Sequence, residues 1–402
     1  MSLSEAELLA DVRQRLFAPT DSSTPRAVGL ELELIPVFRG SNRPAPAIRG
    51  KAPSTSEALS RLAMRESWTE QPAGGDPSSW KLPDGTTISF EPGGQIEIST
   101  VPHPTASAAI EAARQIVAQL TKVMSGDGIE LLTRGVDPYN GIDAVPLQLH
   151  RERYTGMTRY FESIGPSGVR MMRQTAALQI NVEHGPDPKK RWRLLNSLAP
   201  IVVALFANSR NYAGRPTGWA SYRAQLWRTL DPSRTGIIYD DADEAAGYLS
   251  FALDAGAMRA RDGSGYQSFR QWMRSPEVGR AEWLFHLSTL FPEVRPKEFF
   301  ELRSADTIDP AFLAAPVVFV AGLVYDSDNA RKAIEIIGPP SNELLERGGR
   351  LGVTDPEIRR LAFELTERAV DGAQRLGSDY IKASHIGEAR RYFARTLTGH
   401  EI

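Results

Sequence analysis

Residues 89–98 read Ser89-Phe90-Glu91-Pro92-Gly93-Gly94-Gln95-Ile96-Glu97-Ile98, and the alternation within them decides the fold. A strand sends successive side chains to opposite faces, so Ile96 and Ile98 share an apolar face while Gln95 and Glu97 share a polar one. Pro92-Gly93-Gly94 divides the run into strands at 86–91 and 95–100 joined by a tight turn, because glycine tolerates the positive φ such turns often need. Three further stretches repeat the pattern. In Gly29-Leu30-Glu31-Leu32-Glu33-Leu34 the two glutamates face away from the leucines. Ala177-Leu178-Gln179-Ile180-Asn181 pairs Gln179 with Asn181, and Phe300-Glu301-Leu302-Arg303 pairs Glu301 with Arg303. A half-buried strand ordinarily carries mixed, solvated residues on its polar side. Here those sides hold mainly carboxylates and amides.

Working outward, residues 5–17 predict a short helix leading into the first acidic strand at about 28–38. Segments 40–57 and 71–79 are rich in Pro, Gly and Ser and read as loops. Thr105 can cap a helix running to about Met124, Ile129-Glu130-Leu131-Leu132 reads as a strand, and another helix is expected near 156–164. Residues 188–208 are a strongly apolar helix with Pro200 as a bend. Beyond Arg303 the chain is mostly helical, with Asp309-Pro310, Ser327 and Asp355-Pro356 as starts and Gly338 and Gly377 as stops. Strands punctuated by helices, without regular βαβ spacing, predict an α+β fold. It has a curved, largely antiparallel sheet, a polar concave active-site face, and helices packed on the other face. The expected organisation is one catalytic domain over 1–402, with the acidic sheet motifs within 28–306 and a mostly helical part at 307–402.

The 47 basic and 49 acidic residues leave a net charge of −2, which gives neither nucleic acid nor an anionic membrane an electrostatic handle. The most apolar run, Pro316 to Tyr325, falls short of the roughly 20 residues a membrane-spanning helix needs. Residues 1–7 lack the basic and apolar stretches of a secretory signal, so the expected compartment is the cytoplasm. With no cysteine there are no disulfides, no thiolate metal sites and no thiol nucleophile. The six histidines are scattered, without a His-Glu-x-x-His pair, and no Walker-type phosphate loop is present. Small-molecule partners remain; composition is silent on oligomeric state.

If the polar strand faces converge, Glu31, Glu33, Glu91, Glu97 and Glu301 repel one another unless cations offset their charge. Mg²⁺ suits such a set because it takes oxygen ligands and readily shares carboxylates with water and nucleotide phosphates. Gln179 adds a neutral oxygen. Any single pair of these glutamates is more often a solvated strand face; four stretches with one pattern favour a site. The Gly93-Gly94 turn offers backbone amides that can approach a phosphate, although a bare turn is the commoner role. Arg303, on the face of Glu301, suits either a transferring phosphoryl group or a structural ion pair. Between 208 and 236, Arg210, Arg215, Arg223, Arg228 and Arg234 alternate with Tyr and Trp, which fits a small anionic substrate better than nucleic acid.

Ser89 to Ser99 resembles the signature of the plant and bacterial glutamate–cysteine ligases. Gly29 to Glu33, Thr175 to Asn181, Ala204 to Ser209, Trp227 with Asp231 to Gly236, and Glu301 to Asp306 continue the resemblance in order, over about 28–306. The resemblance implies a glutamine synthetase-like carboxylate–amine ligase using ATP and Mg²⁺. ATP would phosphorylate the γ-carboxylate of L-glutamate, and the amine of L-cysteine would displace phosphate to give γ-glutamylcysteine. It implies Glu31, Glu33, Glu91, Glu97, Glu301 and Gln179 as metal ligands and Arg303 with Glu91 as catalytic groups. Gly93, Gly94, Gln95, Asn181 and Arg303 would contact ATP, and Arg173, Gln174, Trp227 and Arg234 would bind substrate. Where many members read Leu-Arg-Thr-Cys-Thr, this chain has Arg173-Gln174-Thr175-Ala176-Ala177, with the arginine displaced by one position. Thr-Ala-Ala resembles the actinobacterial ligases that feed ergothioneine synthesis; glutathione synthesis is the other expected destination. The alternatives are a same-scaffold ligase with another amine acceptor and a non-catalytic nucleotide-binding protein.

Overall fold

A computed structural model describes residues 3–20, 26–48, 50, 53–258 and 267–399. Strand β1 (Val28–Phe38) lies at the centre of a nine-stranded sheet, because its buried leucines need cover on one face and its glutamates face the other. The remaining strands are β2 (Thr69–Ala73), β3 (Asp76–Lys81), β4 (Thr87–Phe90), β5 (Ile96–Ser99), β6 (Ile129–Leu132), β7 (Ala177–Val182), β8 (Val294–Pro296) and β9 (Phe300–Asp306). Their order is β8-β9-β7-β1-β5-β4-β3-β2, with β6 on the far end of β1, and every pairing is antiparallel. The sheet class expected from the alternating stretches is the one observed.

Segment 71–79, expected as a loop, belongs instead to the β2–β3 hairpin, whose turn is made by Gly74 and Gly75 at positive φ. Pro72 and Pro77 obscured it. Both are tolerated because β2 is the sheet edge and β3 pairs with β4 only at Trp80 and Lys81, beyond Pro77.

On the apolar face, Leu30, Leu32, Leu34, Ile96, Ile98 and Ile180 are buried. Helices Ala106–Gly126, Pro188–Leu205 and Ala314–Val324 cover this side of the molecule. Pro188 starts the second of these, where a missing N–H costs nothing, and Asp187 caps it by accepting from the Lys190 amide at 3.1 Å. Gly338 and Gly377 end helices Ser327–Ile337 and Pro356–Leu376, as their positions suggested. Among the described residues no single helix is long and apolar enough to cross a membrane. Helices Pro310–Val324 and Ser327–Ile337 reach the length and composition only as a pair bent by 97°, and residues 314–324 are buried in the core.

The polar face has helices as well, which the expectation of helices on the other face did not include. Glu152–Ile164, Pro166–Gln174 and Tyr222–Thr229 stand over it as walls. Gly165 breaks the first from the second and Pro166 restarts the chain at a position suited to its fixed φ.

Candidate active site

Strand register brings the polar stretches together. Glu33 lies directly opposite Glu97 across β1–β5, and Glu31 lies opposite Gln179 across β1–β7. Asn181 of β7 faces Glu301 of β9. With the three helices above, this face bounds a cavity of about 230 Å³, from whose lining Asn181, expected to contact ATP, and Glu301 are both absent. Its floor holds Glu31, Glu33, Glu97 and Gln179 from the sheet, with Glu91 and Gln95 from the ends of the β4–β5 turn. Its walls hold Arg153, Tyr154, Met157, Met171, Met172 and Trp227.

One end of the floor is acidic and unpaired. Glu33, Glu91 and Glu97 each offer a carboxylate oxygen, all within 4.8 Å of one another, and none forms an ion pair with Lys or Arg among the described residues. Glu33 accepts from the Ala177 amide at 2.8 Å and from Gln179 Nε2 at 3.3 Å. Glu97 accepts from the hydroxyls of Ser89 and Ser99 at 3.2 and 3.1 Å. Burial, with Glu97 close by, pushes the Glu33 carboxyl up to about 7 against the weaker pull of Arg223 and Arg303. Burial, then Glu97 and Glu33, holds Glu91 well above the usual carboxylate range. Such all-oxygen, anionic donors fit a hard divalent cation such as Mg²⁺.

The other end is paired. Glu301 is fully buried, and its carboxylate accepts from Arg295 Nε at 2.6 Å, Lys297 Nζ at 2.5 Å and Arg303 Nη1 at 2.7 Å. Burial alone would raise it, but Arg295, Arg303 and Lys297 outweigh burial and hold it well below its ordinary value. The five glutamates expected as one ligand set thus divide: Glu301 is the hub of three cations and stands apart from the unpaired trio. Glu31 lies between the two ends. Burial and the Glu301 charge push it up to about 7, while Lys297, 3.5 Å away, opposes the rise. Asn181 donates to Glu31 at 3.1 Å.

Arg303 is held by Gln179 as well as Glu301, and its guanidinium lies 5.2 Å from the Trp227 ring centre. Arg223 lies 5.5 Å from the same ring and donates to the Arg303 carbonyl at 2.8 Å. Cation–π contact thus fixes Trp227 and the Arg303 guanidinium against each other.

Several expected contacts fall elsewhere. The Gly93 and Gly94 amides are spent internally, on Gln95 Oε1 at 2.9 Å and the Glu91 carbonyl at 2.8 Å. A Cβ on Gly93 would sit 2.0 Å from the Arg173 carbonyl oxygen, so this turn is packed against helix Pro166–Gln174 rather than open to a nucleotide. Gln95 latches the same turn to the Thr175 carbonyl at 2.8 Å. Arg173 is absent from the cavity wall. Gln174 is tied to the Asn140 carbonyl at 2.7 Å and the Tyr212 hydroxyl at 3.0 Å. Arg234 is enclosed entirely: Asp231, Tyr160, Thr289 and the Gly256 carbonyl take its donors, because Asp231 three residues earlier gives it a buried counter-ion. Its expected contact with substrate is therefore corrected to a scaffold role. Residues that sequence reasoning missed are Arg153, Arg295, Lys297 and the methionines. For Arg295 a signal existed, since it lies opposite Glu301 in the β8–β9 hairpin.

The antiparallel sheet thus carries a carboxylate cluster beside an anchored guanidinium, a site suited to a ligase that activates a carboxylate with a nucleotide. Residues 27–360 match the model of glutamate–cysteine ligase family 2. The chain is 31% identical over 323 residues to the glutamate–cysteine ligase EgtA of Mycobacterium tuberculosis, covering 75% of this chain and 73% of that one. It is 30% identical over 349 residues to the chloroplastic glutamate–cysteine ligase of Arabidopsis thaliana, covering 80% and 66%. The structure of the Francisella tularensis glutamate–cysteine ligase in complex with AMP shares the fold, with a TM-score of 0.54 over 94% of this chain and 83% of that one, at 11% identity. The chain belongs to glutamate–cysteine ligase family 2 and is an ATP-dependent ligase.

Proposed function

We propose that this cavity activates the γ-carboxylate of L-glutamate with ATP and joins it to the amine of L-cysteine, with the work divided between the two ends of the sheet. The observation that carries the assignment of roles is the unpaired trio Glu33, Glu91 and Glu97 at the floor of a cavity whose far end presents Arg303. The trio would hold Mg²⁺, while Gln179, whose Oε1 accepts from Arg303 and whose Nε2 donates to Glu33, would orient the trio and not ligate as expected. An ion bound there would offset the carboxylate charge and polarise the nucleotide phosphate. Arg303, fixed by Gln179, Glu301 and Trp227, faces the phosphoryl group as it moves to the glutamate carboxylate. Met157, Met171, Met172 and Phe291 form the apolar part of the wall. That wall keeps water from the γ-glutamyl phosphate until the amine attacks and phosphate leaves. No covalent bond to the protein is needed, and positioning with electrostatics supplies the rate. The C-terminal helices share one apolar core with the sheet, from Leu8 to Leu397, which supports reading the chain as one catalytic domain. The product, γ-glutamylcysteine, would enter glutathione or ergothioneine synthesis.

The test is ADP release with Mg-ATP, L-glutamate and a panel of amines, with the product mass measured. Release that depends on L-cysteine, with a product of the mass of γ-glutamylcysteine, is the expected result. Release only with another amine overturns the acceptor. No release with any pair overturns the catalytic reading.

A further inference from the structure

A second cavity, of about 650 Å³, lies on the helical side of the molecule and shares no lining residue with the active site. It opens between the chain entering helix Pro188–Leu205 and the helix Ser327–Ile337. Leu194, Val324, Ile334 and Tyr325 give it a mostly apolar lining. Three of the cations on its lining are neutralised in place: Lys190 pairs with Asp187 at 3.0 Å, Arg331 with Glu335 at 2.7 Å and Arg193 with Asp241 at 3.5 Å.

Arg191 differs. Its guanidinium lies 5.2 Å from the Tyr325 ring centre and donates to the Glu183 carbonyl at 2.7 Å, but it forms no ion pair among the described residues. Among the described residues Glu183 is the acid that acts on it, and its carboxylate accepts instead from the Tyr325 hydroxyl at 3.0 Å. Burial lowers the Arg191 pKa, as expected of a cation taken from water without full compensation. Its seat is specifically shaped. Gly185 is at φ +73°, and a Cβ there would meet the Arg191 guanidinium carbon at 2.6 Å, so the bare backbone is what lets the guanidinium lie flat. Arg193, on the same lining, keeps a buried Nε that donates to nothing although its Nη1 meets Asp241. A mostly apolar cavity with spare guanidinium donors recognises a small ligand that is itself apolar and carries one anionic group.

We propose that this cavity is a binding site for a small organic anion, its carboxylate or sulfonate on Arg191 and its apolar body over Tyr325 and Ile334. The probe is 8-anilino-1-naphthalenesulfonate, followed by fluorescence with the full chain under saturating Mg-ATP and glutamate, so that the active site is occupied. One saturable site is expected, weakened at least about tenfold in Arg191→Met and retained within about threefold in Arg191→Lys. Ala330→Trp, which fills the cavity and leaves every charge in place, should abolish it. The uncharged N-phenyl-1-naphthylamine should bind Arg191→Met and wild type alike. Absence of saturable binding to the wild type overturns the proposal, as does equal affinity in Arg191→Met or binding that survives Ala330→Trp. If Arg191→Met does not fold, Ala330→Trp decides alone.

Discussion

The two ends of the active-site sheet use the same side chain in opposite ways. Glu91, half-buried in the cavity floor, and Glu301, fully buried behind it, are both glutamates withdrawn from water, yet Glu91 is held well above its ordinary pKa and Glu301 well below. Burial pushes both upward. What differs is company: Glu91 faces Glu97 and Glu33, whereas Glu301 faces Arg295, Lys297 and Arg303. The first arrangement is a charge deficit awaiting a cation, and the second is already complete. Acidic character on a strand therefore does not by itself distinguish a ligand from a bracket that aims arginine.

The sharpest way to break this comparison is to neutralise one glutamate at each end. Glu91→Gln should lower ADP release by about 10³-fold, since it removes a group acting on the charge of the transition state. Because the Glu91 carboxyl, withdrawn from water beside Glu97 and Glu33, already favours its neutral form, the melting temperature without divalent cation should hold or rise. Glu301→Gln should instead destabilise the fold by about 3 kcal/mol, leaving Arg295, Lys297 and Arg303 without their buried counter-charge. Denaturant melts of both variants read this difference. Equal destabilisation would erase the distinction between the ends.

A smaller effect follows from titration. Glu31 and Glu33 sit near 7 in the fold against an ordinary value of 4.5, so between those values the folded state binds more protons than the unfolded one. Stability then falls as pH rises through that window and levels off above it. Carboxylates held below their ordinary values, Glu301 among them, titrate beneath the window and do not contribute. With EDTA the melting temperature should drop by a few degrees between about pH 5 and pH 8, and millimolar Mg²⁺ should remove most of the drop. A melting temperature that ignores Mg²⁺ at every pH would count against the trio as the metal seat.

The smallest effect sharpens the Arg234 correction. Tyr160→Phe removes the hydroxyl that donates to Asp231 at 2.7 Å and accepts from Arg234 at 3.0 Å. A loss of about 1 kcal/mol is expected, with KM for glutamate unchanged. A rise in KM with no loss of stability would return Arg234 to the substrate.

How much was legible follows from the range of each signal. Glu31, Glu33, Gln95 and Glu97 could be placed on polar faces because the strand period of two is local. The Asp231–Arg234 pair was equally close at hand, three residues apart, although its burial was not. Met157, Met171 and Met172 read as ordinary apolar positions on helices, and nothing local tells a cavity wall from a core. The Gly93-Gly94 turn was rightly placed, but its amides proved occupied, since Gln95 bends back to take one of them.

By itself the sequence determined the antiparallel sheet and its acidic and apolar faces. Each of these rests on alternation between neighbours along the chain. Only the tertiary structure decided which carboxylates stay unpaired, because that depends on which cations the fold brings alongside. Lys297 reaches Glu301 within one hairpin, whereas Arg223 reaches the Arg303 carbonyl across 80 residues of chain.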